Sequence, residues 1–77
     1  MQQPLSNAAA TLQLTVNGES RRIAAGTSLA GLLDELALTG KKVAVERNGD
    51  IVPRSRHAET LLQAGDRLEV VVAVGGG

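Results

Sequence analysis

The chain has 77 residues, with eight Lys and Arg balanced by eight Asp and Glu, and it contains no Cys, Phe, Trp or Tyr. The balanced charge and the missing aromatic rings argue against a nucleic-acid partner, and the missing cysteines exclude disulfides and cysteine-ligated metals. No apolar run approaches the roughly 20 residues that cross a bilayer, and the first residues lack the pattern of a signal peptide, so we expect no membrane association and a cytoplasmic location.

The first elements form a hairpin. Residues 1–10 carry no charge and no apolar periodicity, so they are predicted to be a disordered extension. Residues 11–16 alternate Leu and Val with polar side chains, which is typical of a strand with one buried face. Asn17-Gly18 tolerates the two positive φ angles of a type I′ turn, and it therefore predicts a second strand over residues 19–24. Ile23 is the expected inward anchor of that strand.

A helix follows the hairpin. Leucines recur at i, i+3, i+4 and i+7 over residues 29–36, which places them on one face. Thr27 or Ser28 can cap this helix through its hydroxyl group, and Gly40 is predicted to end it in a left-handed turn. Gly31 lies inside the helix at a cost of about 1 kcal/mol relative to Ala. Its presence indicates either close packing on a sheet or a weak helix.

The remaining residues predict three more strands. Residues 43–47 are rich in Val, and Asn48-Gly49-Asp50 predicts a turn into a short edge strand, because Pro53 cannot donate a ladder hydrogen bond. Residues 54–64 are expected to form an irregular connection with one helical turn.

The end of that connection leads into the last strand. Leu61-Leu62 is interpreted as a buried plug, and Gly65-Asp66 turns the chain into residues 67–74, where alternate side chains face opposite sides. This order of elements predicts an α+β fold of the β-grasp type, in which one main helix packs across a mixed sheet of four to five strands. The last strand is expected in the centre, beside the first.

The chain ends on three glycines. Gly75, Gly76 and Gly77 can extend about 10 Å beyond the last strand, and without a Cβ they can approach another protein closely. The predicted organisation is therefore an extension at 1–10, a β-grasp domain at 11–74 and a flexible tail at 75–77. A merely frayed end, in a passive binding module, is the alternative for the tail.

Four segments carry a resemblance to a known family: Leu14 to Glu19 in the hairpin, the Leu-x-x-Leu-Leu helix, Val45 to Arg54, and Gly65 to Val70. With the terminal glycines, they make residues 11–77 similar to the ubiquitin-like sulfur carriers, and most closely to the ThiS family of thiamine biosynthesis. The Val45 to Arg54 block is the specific part. A terminal Gly-Gly alone also fits the small subunit of molybdopterin synthase or a ubiquitin-like protein modifier.

The resemblance implies a carrier and not an enzyme. In the family, a ThiF-like adenylating enzyme joins the terminal Gly, here Gly77, to AMP from ATP. Sulfur that comes ultimately from a cysteine desulfurase then replaces AMP, and the resulting thiocarboxylate donates sulfur to thiazole synthase. ATP and Mg belong to the activating partner, so this chain is expected to bind no cofactor and no metal. Gly75 and Gly76 are expected to be the thin arm that enters the partner.

Other side chains are weaker candidates. Val71, Ala73 and Ile51 are expected to form an apolar patch for a partner on the sheet face away from the helix. Arg47, Arg54 and Arg56 could form a docking patch or a solvated rim.

His57 is the only histidine of the chain. It has no cysteine, base or second ligand near it in the sequence, so it is assigned to a surface loop without a catalytic role.

Overall fold

The computed structural model describes residues 10–73, which form a five-stranded sheet with one helix across it. The strands lie in the order β2-β1-β5-β3-β4, with β1 and β5 parallel and the other neighbours antiparallel. This arrangement confirms the predicted β-grasp sheet with the last strand in the centre. The elements are β1 (Thr11–Val16), β2 (Glu19–Ala24), α1 (Leu29–Glu35), β3 (Val43–Arg47), β4 (Asp50–Ile51), a single 3-10 turn (Arg54–Arg56) and β5 (Arg67–Val72).

The hairpin forms as predicted. Asn17 and Gly18 have φ angles of 52° and 85°, as a type I′ turn requires. Leu14 on β1 and Ile23 on β2 are buried on the helix side of the sheet. The Ala10 carbonyl oxygen accepts a hydrogen bond from the Ala25 N–H at 3.1 Å. Residues 1–9 lie outside the described residues, so the extension predicted at 1–10 stays a prediction.

Ser28 caps the helix. Its Oγ accepts a hydrogen bond from the Gly31 N–H at 3.0 Å, which satisfies one of the free donors of the first turn. A Cβ on Gly31 would lie 3.3 Å from Cγ2 of Thr27 and 3.5 Å from Oγ of Ser28. The glycine therefore leaves room for Thr27 and for the capping residue Ser28, and no described atom of the sheet lies within 4 Å of the added Cβ.

The helix ends earlier than predicted. The left-handed residue that ends it is Ala37, with a φ of 62°; Gly40 also has a positive φ, of 86°, but it lies three residues further along the chain. The Leu38 N–H donates to the Leu33 carbonyl oxygen at 2.9 Å, and the Ala37 N–H donates to the Asp34 carbonyl oxygen at 3.0 Å. These are the two hydrogen bonds of a Schellman motif. The turn brings Leu38 back against the core that contains Leu33, which explains why the helix stops here.

The core lies between α1 and the sheet. Its buried aliphatic side chains come from every element except β4 and the 3-10 turn: Leu14, Ile23, Leu29, Leu32, Leu33, Val45, Leu62, Leu68 and Val70. The prediction that Leu61 and Leu62 are both buried is wrong for Leu61, which is 55% exposed, and is confirmed for Leu62, which is 2% exposed. Neighbouring side chains of an extended segment face opposite sides, so only one of the two can enter the core.

His57 was wrongly assigned to a surface loop, because only 6% of it is exposed. Its Nε2 lies 3.0 Å from the Val52 carbonyl oxygen, and its own carbonyl oxygen accepts from the Ala30 N–H at 3.0 Å. The residue joins the connection after β4 to the first turn of α1. Its ring therefore has a structural hydrogen bond inside the domain.

Candidate functional site

The site predicted from the sequence begins where β5 leaves the sheet. On the β3 side, the Asn48 N–H donates to the Arg67 carbonyl oxygen and the Ala73 N–H donates to the Lys42 carbonyl oxygen, both at 2.8 Å. The chain is therefore held to the sheet up to Ala73, the last described residue. Gly75, Gly76 and Gly77 lie outside the described residues, and their roles stay predictions.

On the other side of β5, Asn17 forms hydrogen bonds to the strand just beyond the end of β1. Its carboxamide Oδ1 accepts from the Val70 N–H at 2.7 Å, and its Nδ2 donates to the Val70 carbonyl oxygen at 3.1 Å. Its backbone N–H also donates to the Leu68 carbonyl oxygen at 2.8 Å. One side chain thus replaces a strand residue beside β5, which fixes the strand two residues before it ends.

Val71, Ala73 and Ile51 all lie on the open face of the sheet, away from the helix. Val71 and Ile51 are each 63% exposed, and Ala73 is also exposed. Val71 on β5 pairs with Ala44 on β3. Ile51 on β4 pairs instead with Glu46 on β3, and the partner of Glu46 on β5 is Glu69. Val71 and Ala73 therefore share one apolar area, and an acidic pair separates it from Ile51.

A buried carboxylate joins the two turns at the opposite end of β5. Asp66 is 5% exposed, and Arg47 Nε donates to its Oδ2 at 2.9 Å. The Gln63 N–H donates to the same oxygen at 2.8 Å, and Asn48 Nδ2 donates to Oδ1 at 3.0 Å. Burial raises the pKa of Asp66, but these hydrogen bonds and the charge of Arg47 outweigh it and hold the pKa below its usual value of 3.8. We call Arg47, Asn48, Gln63 and Asp66 the turn lock.

The turn lock changes the interpretation of the arginines. Arg47 is engaged by Asp66 inside the domain, and Arg56 forms an exposed ion pair with Glu59 at 3.3 Å. Arg47 therefore has a partner inside the domain, and the choice between a docking patch and a solvated rim at Arg54 and Arg56 stays a prediction. Sequence reasoning missed Asp66, although an Asp that follows Gly in a turn is a frequent acceptor for nearby backbone N–H groups.

The described residues give no sign of other chemistry. Between residues 10 and 73, no three His, Asp or Glu side chains are grouped so that they could hold a metal ion. In the same range, no helix has the length and apolar character needed to cross a membrane.

Comparison with known proteins identifies the family. The model of the ThiS family matches residues 14–77, which include both the domain and the glycine tail. The chain belongs to the ThiS family. The Val45 to Arg54 block on which the resemblance depended lies inside this match and supplies two residues of the turn lock, Arg47 and Asn48.

This ThiS family member resembles proteins of similar length. It is 30% identical to the sulfur carrier protein ThiS of Escherichia coli over 66 residues, which are 86% of this chain and all of that protein. A solved structure of the thiamine biosynthesis protein ThiS from Geobacter metallireducens superimposes with a TM-score of 0.73 at 32% identity, and covers 86% of this chain and 100% of that one.

Longer proteins contain the same domain. The chain is 46% identical to a thiazole synthase of Paramagnetospirillum magneticum over 66 residues, which are 86% of this chain and 20% of that protein. A thiazole synthase of Magnetococcus marinus is 44% identical over the same extent. The chain thus spans about a fifth of the length of these two relatives.

Proposed function

We propose that this ThiS family member is a sulfur carrier of thiamine biosynthesis that is acted on by enzymes and is not itself a catalyst. The observation that carries the proposal is the family match over residues 14–77, because it joins the β-grasp domain to the glycine tail in one unit. The full-length likeness to a protein named sulfur carrier protein ThiS supports the same function.

The chemistry of the proposal is centred on Gly77. A terminal carboxylate has a reference pKa of about 3.3–3.7, so it is ionised at neutral pH and is a poor electrophile. Adenylation turns it into a mixed anhydride, in which AMP is a good leaving group. The terminal sulfur of a persulfide then attacks the carbonyl carbon, and AMP departs with one of the original oxygens. A thiol reductant cleaves the S–S bond of the resulting acyl disulfide and supplies the two electrons that the thiocarboxylate requires. The product is a thiocarboxylate, so the carrier needs no cysteine of its own.

Three partners follow from this chemistry. A ThiF-like adenylating enzyme uses ATP and Mg to activate the carboxylate, a cysteine desulfurase is the ultimate source of sulfur, and thiazole synthase accepts the sulfur. The occurrence of this domain within two proteins named thiazole synthase supports the last partnership.

We assign two further parts of the chain to these contacts. Gly75 and Gly76 form the arm that enters a partner's active site, where a side chain would meet the wall. Val71 and Ala73, with Ile51 beyond the acidic pair, offer exposed apolar surface on the open face near the start of that arm. The anchoring of β5 by Asn17 and by β3 supports this role, since it gives the arm a fixed base.

Intact-protein mass spectrometry tests the proposal. The untagged chain is incubated with the adenylating enzyme, Mg-ATP, a cysteine desulfurase, cysteine and a thiol reductant, and we expect a mass increase equal to the exchange of one oxygen for one sulfur. The mass before reaction verifies that Gly77 is the last residue, and a chain without Gly77 is the matched control. An unchanged mass with partners that act on another carrier would refute the proposal, and a product of much higher mass would indicate a protein modifier.

A further inference from the structure

A cleft opens where β5 runs past the end of the hairpin. Val16, the last residue of β1, is level with Leu68, whereas β5 continues to Val72. The resulting corner holds a cavity of about 290 Å³. Its apolar lining consists of Val16, Leu36, Leu38, Val70 and Val72, and its polar lining consists of Asn17, Glu19, Ser20 and Arg21. We call this cavity the hairpin notch.

Within residues 10–73, the backbone of β5 has no strand partner where it borders the notch. Odd-numbered residues of β5 exchange hydrogen bonds with β3, as the bonds of Arg67 and Ala73 demonstrate. Even-numbered residues face β1, as the bond from Asn17 to the Leu68 carbonyl oxygen demonstrates. Asn17 satisfies Val70, but Val72 has no such partner among residues 10–73. Its N–H and C=O therefore point into the notch.

The outer edges of the sheet are protected in ways that this inner edge is not. Strand β2 carries Glu19, Arg21 and Arg22 along its length, and charged side chains discourage pairing with another chain. Strand β4 has only two residues and is followed closely by Pro53. At the notch, by contrast, the unpaired peptide group lies beside apolar side chains, and Val72 is 40% exposed.

We infer that the hairpin notch receives an extended segment of thiazole synthase, which pairs with the backbone of Val72 and places one apolar side chain among Leu36, Leu38 and Val16. The inference rests on the proposed function. An extended backbone offers a donor and an acceptor at the spacing of one strand residue and, unlike a single carboxamide such as that of Asn17, it also aims alternate side chains at the same face. A segment bound there is within about 17 Å of Gly77, the reach of five extended residues.

Amide hydrogen exchange tests the inference directly. The ¹⁵N-labelled chain is measured alone and with purified thiazole synthase from the same organism. In the free chain we expect fast exchange at Val72 and protection at Ala73, whose N–H is bonded to Lys42. In the complex, exchange at Val72 should slow by about tenfold or more, because its N–H gains an acceptor. Ala73 serves as the internal control.

A pair of variants tests the apolar part of the notch. Val72→Asp places a carboxylate in the notch, and it should weaken the complex by at least about tenfold, because the charge loses its water when the partner's apolar side chain covers it. Leu61→Asp is the matched control, since Leu61 is also an exposed apolar residue and lies outside the notch. The affinity of Leu61→Asp for thiazole synthase should stay within about twofold of that of the parent chain. Thermal unfolding of both variants verifies that they are folded.

The outcomes separate the inference from the proposed function. If thiazole synthase binds while Val72 exchanges as fast as before, or if the two variants bind equally well, the notch assignment fails and the partnership stands. If thiazole synthase does not bind the parent chain, the partnership fails and the notch assignment fails with it. Protection of the Val72 N–H in the free chain overturns the assignment as well. If this protection is lost when residues 74–77 are deleted, the chain's own tail occupies the notch. If the protection depends on protein concentration, a second copy of the chain occupies it.

Discussion

Replacement of Asp66 by Asn tests the turn lock, in which one buried carboxylate holds two turns together. Asn has nearly the same shape as Asp, but it removes the negative charge that faces Arg47. It also replaces one carboxylate oxygen by an NH2 group, which would face one of the N–H donors that now bind Asp66. Loss of one partner of a buried ion pair costs about 3–5 kcal/mol. Because the Arg47 side chain is 29% exposed and can turn towards water, we expect a cost below this range, about 2–3 kcal/mol.

Urea unfolding at neutral pH measures this cost. The chain has no aromatic residue, so far-UV circular dichroism is the appropriate signal. Asp50→Asn is the matched control, because Asp50 is exposed beside the same turn, and its free energy of unfolding should change by less than about 0.5 kcal/mol.

The pH dependence gives a second readout of the same group. The pKa of Asp66 is lowered in the folded state, so its contribution to stability is fully present above its usual value of 3.8 and is lost as the pH falls through the folded-state pKa. The difference in the free energy of unfolding between the parent chain and Asp66→Asn should therefore become smaller below pH 3.8. A cost below about 0.5 kcal/mol at neutral pH, or a difference that persists unchanged in acid, would refute the reasoning.

Three further changes have expected outcomes. Ala37→Gly should raise the free energy of unfolding by about 0.5–1 kcal/mol, since Ala37 has a φ of 62° that glycine adopts without strain; a loss of stability in urea unfolding would contradict this. Asn17→Gly keeps the turn but removes both side-chain bonds to Val70, so we expect a loss of about 1–3 kcal/mol together with faster amide exchange at Val70. Gly76→Val should leave the melting temperature unchanged and reduce thiocarboxylate formation by more than about tenfold; normal formation would show that the arm tolerates side chains.

Local chemistry explains which parts of the fold were predictable. The turn at Asn17-Gly18 and the alternation in β1 depend on residues next to each other in the chain, and both were predicted correctly. The end of the helix depends on Leu38 packing against the core, which outweighs the cost of a left-handed Ala37. The burial of His57 depends on contacts with Val52 and Ala30 that no spacing rule encodes.

Some parts of the candidate site could be predicted from the sequence and others could not. The glycines and the open-face residues could be named from the sequence, because a run of glycines and an alternating strand are visible in it. The turn lock could not, because Asn48 and Asp66 are 18 residues apart and meet only when β3 pairs with β5. The hairpin notch depends on the register of β1 against β5, which places Val16 beside Leu68 and leaves Val72 beyond the hairpin.

The central position of β5 couples folding to the presentation of the tail. Without β5, the β1–β2 hairpin and the β3–β4 hairpin share no ladder, since each joins the sheet only through this strand. Synthesis from the N-terminus makes β5 the last strand to be produced, so the sheet can close only when residues 67–72 are available. A chain that has not folded carries the same glycines but has no anchored strand behind them and no notch. An enzyme that recognises both features would therefore distinguish mature carriers from nascent or damaged ones.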